Sequence, residues 1–99
     1  MNITDLDDKI IRKASEQGKE FHEISREFET SFLDDMKRLN VALPDVITRV
    51  SEYMDEIKDF IKEIIANEYA YELNGSIYFD VDKFNKSPNH KYAKLEPDS

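Results

Sequence analysis

Hydrophobic residues recur every three or four positions along much of the chain, which is the spacing of one face of an α-helix. The longest such face predicts a helix over residues 20–40. Its apolar stripe consists of Phe21, Ile24, Phe28, Phe32, Met36 and Leu39. A third helix is predicted over residues 55–67, with apolar positions at Ile57, Phe60, Ile61, Ile64 and Ile65. Charged residues surround both faces, so each helix is expected to be covered on its apolar side.

A shorter pattern predicts a first helix over residues 6–17. Thr4 and Asp7 have the spacing of a threonine-led capping box at its start. Gly18 is suited to end this helix, because glycine readily adopts the left-handed conformation found after helix C-termini. Asn67 is expected to end the third helix in the same way.

The strongest turn signal is Asn74-Gly75, since a type I′ hairpin turn needs positive φ at both central residues. It predicts strands over residues 69–73 and 76–81, with Tyr71 opposite Tyr78. From residue 85 the composition becomes polar, and an irregular or frayed end is expected over residues 85–99. The predicted fold is mainly α (α+β), a three-helix arrangement with one C-terminal β-hairpin in a single domain, residues 1–99.

Composition narrows the class of protein. The 99 residues suit one small domain, and no run approaches the roughly eighteen apolar residues of a membrane span. The formal net charge of −8 disfavours binding to phosphate groups. A nucleic-acid contact would therefore rely on local basic segments, either Lys37-Arg38 or residues 83–94, which otherwise are solvated surface charge.

The sequence gives little support for a catalytic or metal-binding site within this chain. Asp5, Asp7 and Glu16 have three spacings of a calcium loop, but the position that needs glycine is Ile10. The two histidines are distant from each other, there is no cysteine, and two isolated glycines make no phosphate loop. The aromatic residues of the hairpin are more simply explained as cross-strand pairs than as a nucleobase platform. We expect no catalytic residue and no metal site in this chain.

Five blocks of sequence, in order, resemble cysteinyl-tRNA synthetases of the eukaryotic type. They are residues 2–10 (NITDLDDKI), 32–41, 44–53, 74–81 and 92–95. The resemblance identifies the chain as a fragment of the catalytic region, comprising its connective insert and the short segment that leads into it. Three positions depart from the family pattern, which has proline where this chain has Asp55 and glycine where it has Glu68 and Ala93.

The resemblance implies a cytoplasmic, ATP-dependent cysteine–tRNA ligase, an aminoacyl-tRNA synthetase of protein biosynthesis that has cysteine and tRNA as substrates. It implies nucleotide-binding signatures and a zinc ion in the parent enzyme, all held outside these residues, so the isolated chain is expected to be inactive and to bind no cofactor. Thr4 corresponds to a residue beside the cysteine pocket, with Asn2 and Asp5 as neighbouring candidates. Thr4 is equally suited to a helix cap, and the two roles are compatible.

Two further hypotheses remain open. An independent acidic helical module that binds a protein partner through the stripe of residues 21–39 would have the same composition and periodicity. Separately, Ile3 and the face of Ile10 and Ile11 would lose their cover outside the parent enzyme. The first helix would then fray or copies of the chain would pair, and pairing is the favoured outcome.

Overall fold

The computed structural model describes residues 1–98, which divide into two compact units, Met1–Met54 and the residues from Asp55 onward. In the first unit, helices α1 (Asp8–Gln17) and α2 (Phe21–Arg38) pack against each other. Strand β1 (Asn2–Ile3) precedes them, and strand β2 (Thr48–Arg49) follows. A 3-10 helix, Val50–Tyr53, continues directly from β2.

Helix α1 begins two residues later than its periodicity predicts, because Asp7 caps it. The Asp7 side chain accepts a hydrogen bond of 2.8 Å from the backbone N–H of Ile10. The predicted capping box led by Thr4 is therefore wrong. At the other end Gly18 has φ 63°, and the N–H of Lys19 donates to the carbonyl of Ala14, which confirms glycine as the terminating residue.

Helix α2 has about the predicted length, but its apolar face is not covered as predicted. Within its stripe Ile24 is fully buried, whereas Phe28 and Phe32 are 48% and 45% exposed. Asn40 ends the helix with φ 59°, and the N–H of Val41 donates to the carbonyl of Met36. The apolar face of α2 thus lies largely open in this unit.

The first unit also contains a sheet that the hydrophobic pattern does not predict. Strands β1 and β2 pair in parallel, with Asn2 opposite Thr48 and Ile3 opposite Arg49. Each strand is two residues long, too short for an alternating pattern to be recognisable. This pairing brings the N-terminus of the chain beside residues 48–51.

The second unit contains all of helix α3 (Met54–Ala66) except its first residue, together with a hairpin and helix α4 (Val81–Lys86). Helix α3 ends in the same way as α1 and α2, but the left-handed residue is Glu68, with φ 66°, rather than the predicted Asn67. The N–H of Tyr69 donates to the carbonyl of Ile64, as this type of helix end requires.

The hairpin has the predicted register. Strands β3 (Ala70–Leu73) and β4 (Ser76–Phe79) are antiparallel, with Ala70 opposite Phe79 and Tyr71 opposite Tyr78. Asn74 and Gly75 have φ 51° and 80°, which confirms the type I′ turn.

Strand β4 is shorter than predicted, because Asp80 caps the fourth helix. Its side chain accepts a hydrogen bond of 3.0 Å from the N–H of Lys83, and Val81 is the first residue of α4. The predicted irregular end from residue 85 therefore begins two residues later, since α4 continues to Lys86 and the described residues beyond it form turns and bends.

Candidate functional site

The candidate site is built on the β1–β2 pair. The hydroxyl of Thr48 donates to Asn2 Oδ1 at 2.6 Å, and the N–H of Thr48 donates to the carbonyl of Met1 at 3.0 Å. The N-terminal ammonium of Met1 donates to the carbonyl of Val46 at 2.7 Å. Asn2, one of the predicted site residues, therefore has its side-chain oxygen engaged in joining the two strands.

Asp5, the second neighbouring candidate, is buried, with only 5% of its surface exposed. It accepts a hydrogen bond of 2.8 Å from the N–H of Ser51 and a second from the hydroxyl of the same residue. Burial alone would raise the pKa of Asp5, but the hydrogen bonds from Ser51 outweigh it, and the net pKa lies below its ordinary value. The carboxylate is ionised at neutral pH and fastens the loop after β1 to the 3-10 helix.

Thr4 lies between Asn2, which is bonded to Thr48, and Asp5, which is bonded to Ser51, and it is exposed. It borders a small cleft of about 180 Å³, most of whose lining is apolar and includes Ile10, Phe28 and Phe32. Because Asp7 caps α1, the Thr4 hydroxyl has no capping role, and it forms no hydrogen bond within residues 1–98. The structure thus leaves this hydroxyl available beside an apolar surface.

A charged cluster lies next to Asp5. Arg49 Nε lies 3.1 Å and 3.0 Å from the two carboxylate oxygens of Glu29, and Arg49 Nη1 lies 3.4 Å from Glu52. The hydrogen bond from Arg49 holds the pKa of Glu29 below its ordinary value, and Glu29 in turn raises the pKa of Arg49. This pairing joins α2 to β2.

The same cluster lines an open cleft of about 500 Å³, to which His22 and Arg26 also contribute. The cleft contains both carboxylates and basic groups, with the carboxylate of Glu29 and the guanidinium of Arg49 already paired to each other. This arrangement of paired charges stabilises the first unit.

The resemblance pointed to Asn2, Thr4 and Asp5, but neither it nor the hydrophobic pattern indicated the partners of these residues. Asp5 accepts hydrogen bonds from the hydroxyl and the N–H of Ser51, which lies 46 residues later in the chain. Arg49 belongs to one of the blocks on which the resemblance rests, yet nothing in that block indicates Glu29 as its partner. Their separation of 20 residues is beyond the reach of helical spacing rules.

Within residues 1–98, no group of three or more His, Asp or Glu side chains is arranged to hold a metal ion. Over the same residues, no helix is both long enough and apolar enough to cross a membrane.

Comparison with known proteins gives a consistent family. The family model described as "tRNA synthetases class I (C) catalytic domain" matches residues 1–99. The chain is 52% identical over 99 residues, its whole length, to the cytoplasmic cysteine–tRNA ligase of Dictyostelium discoideum, of which it covers 15%. It is 46% identical over 94 residues to the cysteine–tRNA ligase of Encephalitozoon cuniculi and 44% identical over 96 residues to that of Thermococcus onnurineus. These matches cover 95% and 97% of the chain and 20% of each relative. The chain therefore spans between about a seventh and a fifth of the length of these relatives.

Proposed function

Because the chain belongs to the family of class I (C) tRNA synthetase catalytic domains, we propose that it forms part of a cysteine–tRNA ligase. Such an enzyme joins the cysteine carboxylate to the α-phosphate of ATP and releases pyrophosphate. It then transfers the cysteinyl group to a hydroxyl of the terminal adenosine of tRNA and releases AMP. The full reaction requires the rest of the enzyme, and the isolated chain is proposed to be inactive.

ATP and zinc are proposed to bind to the whole enzyme rather than to these residues. The chain has no cysteine to supply a thiolate ligand, and its described residues contain no cluster of three potential metal ligands. The residues present do not fit a zinc site, so no step of the reaction is assigned to zinc here. A cytoplasmic location is proposed on the name of the Dictyostelium discoideum relative.

The part of the site that we assign to this chain is the loop after β1, which contains Thr4. Thr4 has an exposed hydroxyl without a partner in residues 1–98, at the edge of an apolar cleft, and this observation supports a role in contacting the cysteine substrate. The side chains of Asn2 and Asp5 are engaged by Thr48 and Ser51. We therefore propose that Asn2 and Asp5 position the loop and that Thr4 makes the contact.

A graft tests this proposal. The 99 residues replace the matching segment of the Dictyostelium discoideum relative, and cysteine-dependent ATP–pyrophosphate exchange is measured. The chimera is expected to be active. Thr4→Val, which removes the hydroxyl but keeps the shape, is expected to lower kcat/KM for cysteine about fivefold, since a single hydrogen bond contributes roughly 1 kcal/mol.

Thr4→Ser is the matched control and is expected to stay close to the unsubstituted chimera. An inactive chimera that is nevertheless folded would contradict the family function. An active chimera in which Thr4→Val leaves kcat/KM for cysteine unchanged would contradict only the role of Thr4.

Self-association of the isolated chain is a second proposal, supported by its exposed apolar side chains. Ile11, Phe28 and Phe32 are each 45–50% exposed in the first unit. Exposed apolar surface favours pairing, at about 25 cal/mol per Å² removed from water. Sedimentation equilibrium over a concentration series is expected to show a dimer, and a monomer at every concentration would refute this.

A further inference from the structure

One segment of this acidic chain contains basic residues and no acidic ones. Residues 83–94 contain four of the fourteen Lys and Arg residues and none of the 22 Asp and Glu residues. Lys83 lies 3.8 Å from Glu68, whereas Lys91 and Lys94 form no ion pair within the described residues. This segment, in the second unit, is therefore positively charged although the chain as a whole is negative.

An aromatic platform lies beside these lysines. The rings of His90 and Phe84 are stacked nearly parallel, with centroids 4.7 Å apart and an interplanar angle of 9°. The ring of Tyr69 meets both edge-on, with centroids 5.4 Å from His90 and 5.3 Å from Phe84. These contacts hold the imidazole ring of His90 in a fixed plane, while His90 as a whole remains exposed.

The platform and the lysines share one cleft of about 510 Å³. Its lining consists of Phe84, Pro88, Asn89, His90, Lys91 and Lys94. A flat aromatic surface beside two ammonium groups suits a partner that carries planar rings and negative charge at short intervals. Single-stranded nucleic acid has both, because bases stack on aromatic side chains while phosphates pair with lysine.

We propose that the surface formed by Phe84, His90, Lys91 and Lys94 binds RNA. An unpaired base stacks on His90, and backbone phosphates pair with Lys91 and Lys94. An acidic peptide would satisfy the two lysines but would leave the aromatic platform unused, so the geometry favours RNA. The inference deepens the proposed function and rests on it only in taking tRNA as the natural RNA.

Fluorescence anisotropy of the 99-residue chain with a short labelled single-stranded RNA tests the surface directly. Each phosphate paired with lysine in single-stranded RNA contributes about 0.7 to the slope of log K against log salt concentration. Lys91→Gln/Lys94→Gln is therefore expected to reduce this slope by about 1.4. Lys9→Gln/Lys58→Gln, which changes the net charge equally at two other exposed lysines, is expected to leave it unchanged.

Stacking is tested separately at His90. His90→Ala is expected to weaken RNA binding about fivefold or more, as loss of a base-stacking side chain typically does, while His90→Phe restores binding. His22→Ala, at the other histidine of the chain, is the control and is expected to have no effect. Circular dichroism of each variant shows whether the fold is kept.

Three results would overturn the inference. The first is that the unsubstituted chain shows no salt-dependent RNA binding, and the second is that both double lysine variants reduce the salt slope equally. The third is that polyglutamate binds as tightly as RNA and His90→Ala has no effect. The last result would identify an acidic protein segment as the partner. In the chimera, Lys91→Gln/Lys94→Gln is expected to raise KM for tRNA but to leave ATP–pyrophosphate exchange intact, since activation involves no RNA. Intact exchange with unchanged KM for tRNA would overturn the RNA surface and leave the proposed function standing.

Discussion

The attachment of Asp5 to Ser51 allows a quantitative prediction for Asp5→Ala. The substitution removes a buried carboxylate and with it two hydrogen bonds from Ser51, one of them 2.8 Å long. A hydrogen bond to a charged group contributes about 1.5–3 kcal/mol. Because Ser51 is only half-buried, we expect a loss of about 2–4 kcal/mol in the free energy of unfolding of the first unit.

Ser51→Ala removes only the hydroxyl and leaves the backbone N–H bonded to Asp5. Its expected cost is about 1–2 kcal/mol. In a double-mutant cycle measured by urea unfolding with far-UV circular dichroism, the coupling energy between the two positions should be about 1–2 kcal/mol. Asp8→Ala, an exposed acidic residue in the first turn of α1, serves as the control and should cost less than about 1 kcal/mol.

The effect of pH on the stability loss caused by Asp5→Ala has a definite sign. The pKa of Asp5 is lowered on folding, so its stabilising contribution is complete above the ordinary carboxylate pKa and is lost as pH falls through the folded-state value. The difference in stability between the unsubstituted chain and Asp5→Ala should therefore be constant near pH 7 and shrink below about pH 4. The reasoning would be refuted if the stability losses of Asp5→Ala and Ser51→Ala simply added in the double mutant. It would also be refuted if the stability difference between the unsubstituted chain and Asp5→Ala persisted undiminished to about pH 2.

Two other predictions concern backbone and packing. Glu68 and Ala93 have φ 66° and 55°, so Glu68→Gly and Ala93→Gly should each raise the free energy of unfolding by roughly 0.5–1 kcal/mol. Gly18→Ala should lower it by a similar amount. Thermal melts followed by circular dichroism check all three variants, and a fall in melting temperature for both glycine variants would contradict the strain argument. Because Phe28 is 48% exposed, Phe28→Ala should cost about 1–2 kcal/mol, below the 3–5 kcal/mol of a fully buried phenylalanine. A loss above about 3 kcal/mol, measured by urea unfolding, would show that Phe28 is covered in solution.

Local features of this fold were predictable because they depend on adjacent residues. The turn at Asn74 and Gly75 fixes the hairpin register, and Gly18 fixes the end of α1, since both depend on the conformational freedom of one or two residues. The cap at Asp80 has the same local character, because its bond to Lys83 spans three positions. The apolar residues of 76–81 nevertheless favour a longer strand than the one that forms.

The site depends on contacts that local rules do not reach. Asp5 and Ser51 are separated by 46 residues, and either side chain is compatible with a helix cap when only its neighbours are considered. The openness of the α2 face was equally unpredictable, because periodicity identifies an apolar face but not what covers it. The spacing of Thr4 and Asp7 predicts that Thr4 caps α1, whereas the cap is Asp7. The place of Thr4 beside a cysteine pocket stays a prediction.

The parallel pairing of β1 with β2 has a consequence for the order in which the first unit folds. The helices α1 and α2 are neighbours in sequence, whereas the pairing of Asn2 with Thr48 closes a loop of 46 residues. Closing a flexible loop of that length costs about 3 kcal/mol of chain entropy, and two strands of two residues offset little of it without the bonds of Asp5. We therefore expect Thr4 to reach its final position after the helices have formed, and a substitution that weakens this closure to displace Thr4 before it disturbs either helix.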